Sequence, residues 1–164
     1  MDIGFIILGY DGEEYKIKTT LKSISNYYGS VKCLVVIPSG IKKPFKESIV
    51  GGKSFTSLIN EGMSHAPAEW NIIVLSGVHV REKLDEKYSV FYESRKDIFF
   101  PLIWGNDNFL DASLNGLTFH RDTFKEVGNF ATNEDSLEIC KLMWFLEATD
   151  KGCKFKAIAN TKMA

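Results

Sequence analysis

The sequence predicts an α/β protein of three layers, a mostly parallel sheet between helices with one or two antiparallel members. Three observations predict it. Continuous apolar runs at Ile3 to Leu8, Val31 to Ile37 and Trp70 to Leu75 read as strands buried on both faces. Stretches of helical period lie between them. Shorter, less regular runs fill the second half, as antiparallel additions to a parallel core would.

The first strand, Ile3 to Leu8, is closed by Gly9, and the chain turns at Tyr10-Asp11-Gly12. From Glu13 to Tyr28 the apolar positions Ile17, Leu21, Ile24 and Tyr28 recur at the period of an amphipathic helix, which Gly29 ends. Val31 to Ile37 is the second strand, closed by Pro38-Ser39-Gly40, and completes a βαβ unit with a right-handed crossover. Ile41 to Lys53 reads as a polar connection. Ser54 then caps a helix that buries Phe55, Leu58, Ile59, Met63 and Ala66, and Pro67 stops it. Trp70 to Leu75 is the third strand and ends at Ser76-Gly77. Beyond it, Tyr88 to Tyr92 alternates with the period of a strand, and Pro101 confines Ile98 to Trp104 to a sheet edge or a bulge. Leu117 to His120 is a short strand, Asp122 to Val127 a turn of helix, and Gly128-Asn129-Phe130 a tight corner. A last helix runs from about Glu134 to Thr149, and Phe155 to Ala159 is a last strand.

Length and composition bound the function. The 164 residues suit one domain, 1–164, and 45% hydrophobic with 25% charged residues is a globular composition. A net charge of -1 gives no global field for nucleic acid or an anionic membrane, so no nucleic-acid partner is expected. Cys33, Cys140 and Cys153 form no CxxC pair and fit a reducing compartment. The apolar run at Ile3 follows Asp2 instead of a basic region and is too short for a signal core or a membrane span. A cytoplasmic protein without a transmembrane segment is expected.

Several familiar motifs fall away. Gly51-Gly52-Lys53-Ser54 resembles the end of a phosphate-binding loop, but the position of its first glycine is Glu47, and the segment reads as a helix start capped by Ser54. His65, His79 and His120 have no metal-ligand spacing. No GxSxG is present.

An ordered series of motifs remains. Gly9-Tyr10-Asp11 forms the turn after the first strand, and Thr20-Leu21-Lys22-Ser23-Ile24 the core of the first helix. Asn60-Glu61-Gly62 lies on the second helix and Ala66-Pro67-Ala68-Glu69-Trp70 leads into Ile72-Ile73-Val74-Leu75. Gly116, Arg121, Phe124 and Val127-Gly128-Asn129-Phe130 precede Glu134-Asp135, and Lys151-Gly152-Cys153-Lys154-Phe155 closes the series. In this order and spacing the chain resembles the family 2 glycosyltransferases of the nucleotide-diphospho-sugar transferase superfamily, over about residues 3 to 160. The resemblance implies the GT-A fold, a three-layer α/β/α Rossmann-like sheet. It also implies transfer of a hexosyl group from a UDP- or GDP-linked sugar to a glycan or other hydroxyl acceptor.

On the same resemblance, Asp135 or its neighbour Glu134 is the catalytic base, and the residues expected around the donor are Tyr10, Asp11, Ser39, Asn60, Ser76, His79 and Arg121. Lys53 and Arg121 are the candidate cations for the leaving diphosphate, and Tyr10 and Trp104 the candidate stacking rings. The Glu134-Asp135 pair also reads as helix-start chemistry, with Thr132-x-x-Asp135 approximating a capping box. The chain departs from the family where it carries Ser76-Gly77-Val78 in place of the Asp-x-Asp that holds Mn²⁺ or Mg²⁺. Neither Ser76 nor Val78 offers the carboxylate a hard cation wants, so no metal ligands are assigned: Mn²⁺ or Mg²⁺ and metal-independent transfer both stay open, with His79 as one ligand or as a direct partner of the phosphate. Loss of those carboxylates supports the alternative, a catalytically inactive nucleotide- or glycan-binding module or partner subunit. The chain is short for the family, which points to an acceptor site supplied by a partner protein or a second copy.

Overall fold

The computed structural model describes residues 1–101, 114–133, 136–159 and 161. In chain order the elements are β1 (Ile3–Leu8), α1 (Glu14–Tyr28), β2 (Lys32–Pro38), β3 (Ile49–Gly51), α2 (Phe55–Ser64), β4 (Trp70–Leu75), α3 (Leu84–Ser89), β5 (Asp97–Pro101), β6 (Thr118–His120), α4 (Arg121–Val127), α5 (Leu137–Asp150) and β7 (Lys154–Ile158). The seven strands form one sheet in the order β3-β2-β1-β4-β6-β5-β7. β1 pairs in parallel with β2 and β4, and β2 with β3. β6 runs antiparallel to both β4 and β5, while β7 is parallel to β5.

The pleat of β1 explains the three layers. Ile6 and Leu8 face one core with Leu58, Ile59 and Met63 of α2 and Phe124, Trp144 and Ala148 of α4 and α5. Phe5 and Ile7 face the other, with Ile24 of α1 and Leu84 and Tyr88 of α3. A strand buried on both faces must read as an unbroken apolar run, and β1 does. α2 lies close on the sheet because Gly62 carries no side chain. A Cβ there would come within 2.6 Å of Ile6 Cγ2.

Four elements differ from the sequence expectations. The connection after β2 contains β3, a three-residue strand paired at Val36 to Ile49. Tyr88 belongs to helix α3, where its ring stacks on Phe99 at 5.2 Å and its hydroxyl donates to the Gly116 carbonyl at 2.9 Å. β5 is an interior strand despite Pro101. Its register with β6 is confined to Phe99 opposite Thr118, and Pro101 is its last residue, so the missing N–H costs no bond on that side. α5 starts later than the pattern suggested, with Ser136 as N-cap accepting from the Ile139 amide and Glu138 as the acid of its first turn.

Candidate functional site

Connections from β1 lead outward through β2 to β3, whereas β4 leads to the strands on its other side. The topological switch therefore falls between β1 and β4, and open α/β sheets place ligands in the crevice outside the strand carboxyl ends at that point. Two loops border this crevice. Gly9 to Gly12 leaves β1, with the Gly12 amide donating to the Gly9 carbonyl at 3.0 Å. Ser76 to His79 leaves β4, with the Ser76 amide donating to the Leu8 carbonyl at 3.1 Å.

α1 fastens the second loop. The buried Thr20 hydroxyl accepts from the Gly77 amide at 2.9 Å and donates to the Val78 carbonyl at 2.9 Å. One turn on, Ser23 Oγ accepts from the Val80 amide at 2.9 Å. Gly77 sits at φ +92, a conformation open to glycine, and its amide is also within reach of the Lys16 carbonyl at 3.2 Å. The Thr-Leu-x-Ser-Ile run of the first helix is thus the clamp that holds the loop after β4.

Lys16 spans the two loops. Its Nζ lies 2.6 Å from Asp11 Oδ2 and 5.9 Å from the centre of the Tyr10 ring, and its stem passes about 3.7 Å from where a Cβ on Gly77 would stand. Partial burial works against the Asp11 carboxylate, but the Lys16 ammonium and the Glu13 amide outweigh it and hold the carboxyl below its usual value. The same hydrogen bond pushes the Lys16 ammonium up. The motif series does not include Lys16. Its signal was position: the first turn of a helix that starts two residues after the turn from β1 has to overhang the strand ends.

Tyr10 packs on Phe55 at 5.5 Å, so the post-β1 turn and the start of α2 share an aromatic wall. Gly12 sits at φ +69 against Ile41 Cγ2, where a Cβ would collide, and this ties the turn to the segment after β2. Ser39 follows the carboxyl end of β2, and Lys53, exposed, precedes α2 at the same end of the sheet. His79 is exposed. Ser76 is buried on the α1 face by the alternation of β4, and its hydroxyl has no hydrogen-bond partner among the described residues.

Two expected donor residues lie elsewhere. Asn60 is consumed by the scaffold: its side chain donates to the Phe130 carbonyl at 2.9 Å and accepts from the Phe130 amide at 2.8 Å. Arg121 is at the opposite end of the sheet. Because β6 runs antiparallel to β4, His120 pairs with Trp70 and the Arg121 amide donates to the Glu69 carbonyl at 2.7 Å, beside the start of β4. Arg121 lines a separate cleft of about 780 Å³ with His65, Asp122, Lys125 and Asn129. The carboxyl end of α2 and the start of α4 border that cleft. Trp104, Glu134 and Asp135 lie outside the described residues.

The described residues of this crevice do not by themselves fit Mn²⁺ or Mg²⁺. The loop after β4 supplies one serine hydroxyl and no carboxylate, and the carboxylate across the crevice, Asp11, is engaged by Lys16 and by the Glu13 amide. Among the described residues no three His, Cys, Asp or Glu side chains gather as a metal site, and no helix is long and apolar enough to cross a membrane.

No protein-family model and no curated protein matches the chain in sequence. Solved structures do match in fold. TarS from S. aureus superposes with a TM-score of 0.69 at 12% identity, over 99% of this chain and 36% of that one. The 1–349 piece of TarS, in complex with UDP-GlcNAc, gives 0.66 at 14%, over 99% and 57%. The mannosyltransferase PcManGT from Pyrobaculum calidifontis, in complex with GDP-Man and Mn²⁺, gives 0.68 at 11%, over 98% and 56%. The chain thus spans less than two thirds of these neighbours and shares their fold, the GT-A-like architecture that the motif series implied.

Proposed function

We propose that this chain binds a nucleoside diphosphate sugar in the β1/β4 crevice and transfers the sugar to a hydroxyl acceptor. The observation that carries the reading is the pairing of the Gly9–Gly12 and Ser76–His79 loops at the topological switch. It occurs on a fold shared with chains crystallised on UDP-GlcNAc and GDP-Man. Transfer requires charge neutralised on the leaving diphosphate, a base for the acceptor proton, and a pocket that orients both. Tyr10 and Phe55 offer the base or sugar an apolar wall, and Asp11, Ser39, Ser76 and His79 surround the same end of the sheet. Asp135, with Glu134 beside it, is the proposed catalytic base. β7 runs parallel to β4, so α5, at 14 residues about 21 Å long, carries its cap Ser136 back toward the strand carboxyl ends.

The carboxylate-free loop Ser76-Gly77-Val78 favours a second reading, a module that binds nucleotide sugar without turning it over. One experiment separates the two. The protein and its Asp135→Asn variant are incubated with UDP-GlcNAc and GDP-Man while release of nucleoside diphosphate is followed. Release by the wild type that the variant loses supports transfer. Binding without release supports the second reading, and failure to bind either donor overturns both.

A further inference from the structure

We infer that the cation facing the donor diphosphate in this crevice is the ammonium of Lys16, standing where a divalent ion would otherwise be held. The inference rests on the nucleotide-sugar reading above. Lys16 touches both loops that border the switch point: its carbonyl accepts from the Gly77 amide at 3.2 Å and its Nζ meets Asp11 at 2.6 Å. Its ammonium is held by the Asp11 carboxylate and lies 5.9 Å from the centre of the Tyr10 ring, and its stem passes beside Gly77. A flexible surface lysine spends side-chain entropy when it engages a phosphate, and a lysine already ordered has spent it.

Charge arithmetic agrees with this assignment. Mg²⁺ is held through one or two carboxylates together with substrate phosphates, and among the described residues the two loops of this crevice offer one carboxylate, Asp11. Both oxygens of that carboxylate are engaged, Oδ1 by the Glu13 amide at 3.1 Å and Oδ2 by Lys16. An ammonium carries three N–H donors, and the bond to Asp11 uses one, which leaves two for phosphate oxygens. The hydrogen bond to Asp11 favours the charged form of Lys16. Lys53, exposed at the start of α2, and His79, in the loop after β4, are further basic groups at this end of the sheet.

The test is calorimetric titration of UDP, GDP and uridine, each in EDTA and each with Mn²⁺, into the wild type and the Lys16→Met and Lys16→Arg variants. The expected result is nucleoside diphosphate binding of equal affinity, within about twofold, with and without Mn²⁺. Lys16→Met should weaken it about tenfold to a hundredfold, the loss of a charge-assisted contact, while Lys16→Arg retains most of it. Uridine binding should be indifferent to the substitution. A preference for UDP over uridine measured in EDTA on the wild type alone supports the inference even if Lys16→Met fails to fold. Diphosphate binding that appears only with Mn²⁺, or that a folded Lys16→Met retains in full, overturns the inference and leaves the proposed function standing. Absence of UDP and GDP binding under every condition overturns the function, and the inference with it.

Discussion

Thr20 and Gly77 are 57 residues apart in sequence and joined by a 2.9 Å hydrogen bond, in which the buried hydroxyl of α1 accepts from the loop amide after β4. The same oxygen donates to Val78, so one side chain satisfies two backbone groups that the end of β4 leaves open. Replacing Thr20 by the isosteric valine removes both bonds with little change of shape. Lys16→Met bears on the ligand directly, but Thr20→Val acts only through the loop. It should destabilise the fold by about 1–3 kcal/mol and weaken nucleotide binding in whatever fraction stays folded. Thermal melts and titration of the same samples check both.

Asn60 separates scaffold from site. Its amide closes a two-bond clamp on Phe130, whose ring stacks on Trp144 at 4.8 Å. Asn60→Ala should cost about 1–3 kcal/mol in chemical denaturation and leave UDP affinity unchanged at a temperature where the variant is folded. A selective loss of affinity without loss of stability would return Asn60 to the donor site.

Lys156 and Asp97 form the most enclosed charge pair at the β7 edge. Asp97 is fully buried, and its Oδ2 accepts from the Glu93 and Ser94 amides and from Lys156 Nζ at 3.0 Å. Burial works against the Lys156 charge, yet Asp97 and Glu93 outweigh it and push the ammonium up. Lys156→Met should destabilise by on the order of 2–4 kcal/mol, because it leaves a buried carboxylate unpaired. The double variant Lys156→Met, Asp97→Asn should recover part of the loss. A melting temperature unchanged in the single variant would contradict this.

The Asp11–Lys16 pair makes a prediction about acid. A carboxyl held below its usual value in the folded state contributes stability above the unfolded value, near 4, and loses it as pH falls through the folded value. The gap in melting temperature between wild type and Asp11→Asn should therefore be present at pH 6 and close as pH drops below about 4. A gap independent of pH would assign the effect to packing.

The elements that the sequence disclosed are those whose burial writes a pattern. β1 and β4 are apolar on both faces, β2 is an apolar run buried only at Val36, Ile37 and Pro38 with Lys32 and Cys33 exposed, and α1 and α2 carry a buried stripe with punctuation at Gly29 and Ser54. β3 is too short, at Ile49-Val50-Gly51, to write one. Tyr88 misled because residues 90–92 are exposed apolar side chains, and these mimic alternation beside a helix. Arg121 could not be placed locally, since its end of the sheet is decided by the antiparallel direction of β6. The motifs that carried the family resemblance proved to be largely scaffold: Thr20 and Ser23 clamp a loop, Asn60 clamps a corner, Gly62 admits a helix to the sheet and Gly128 turns the chain at φ +99. They fix the crevice, and the chemistry within it depends on side chains, such as Lys16, that write no pattern.

The central claim is that the β1/β4 crevice is where a nucleoside diphosphate binds. Its most direct test is titration of UDP and GDP into ¹⁵N-labelled protein, following backbone amide shifts. The largest shifts should fall on Gly9 to Gly12, Lys16 and Ser76 to His79, with Arg121 and Lys125 unmoved. Shifts confined to the cleft of His65, Arg121 and Lys125 would contradict it.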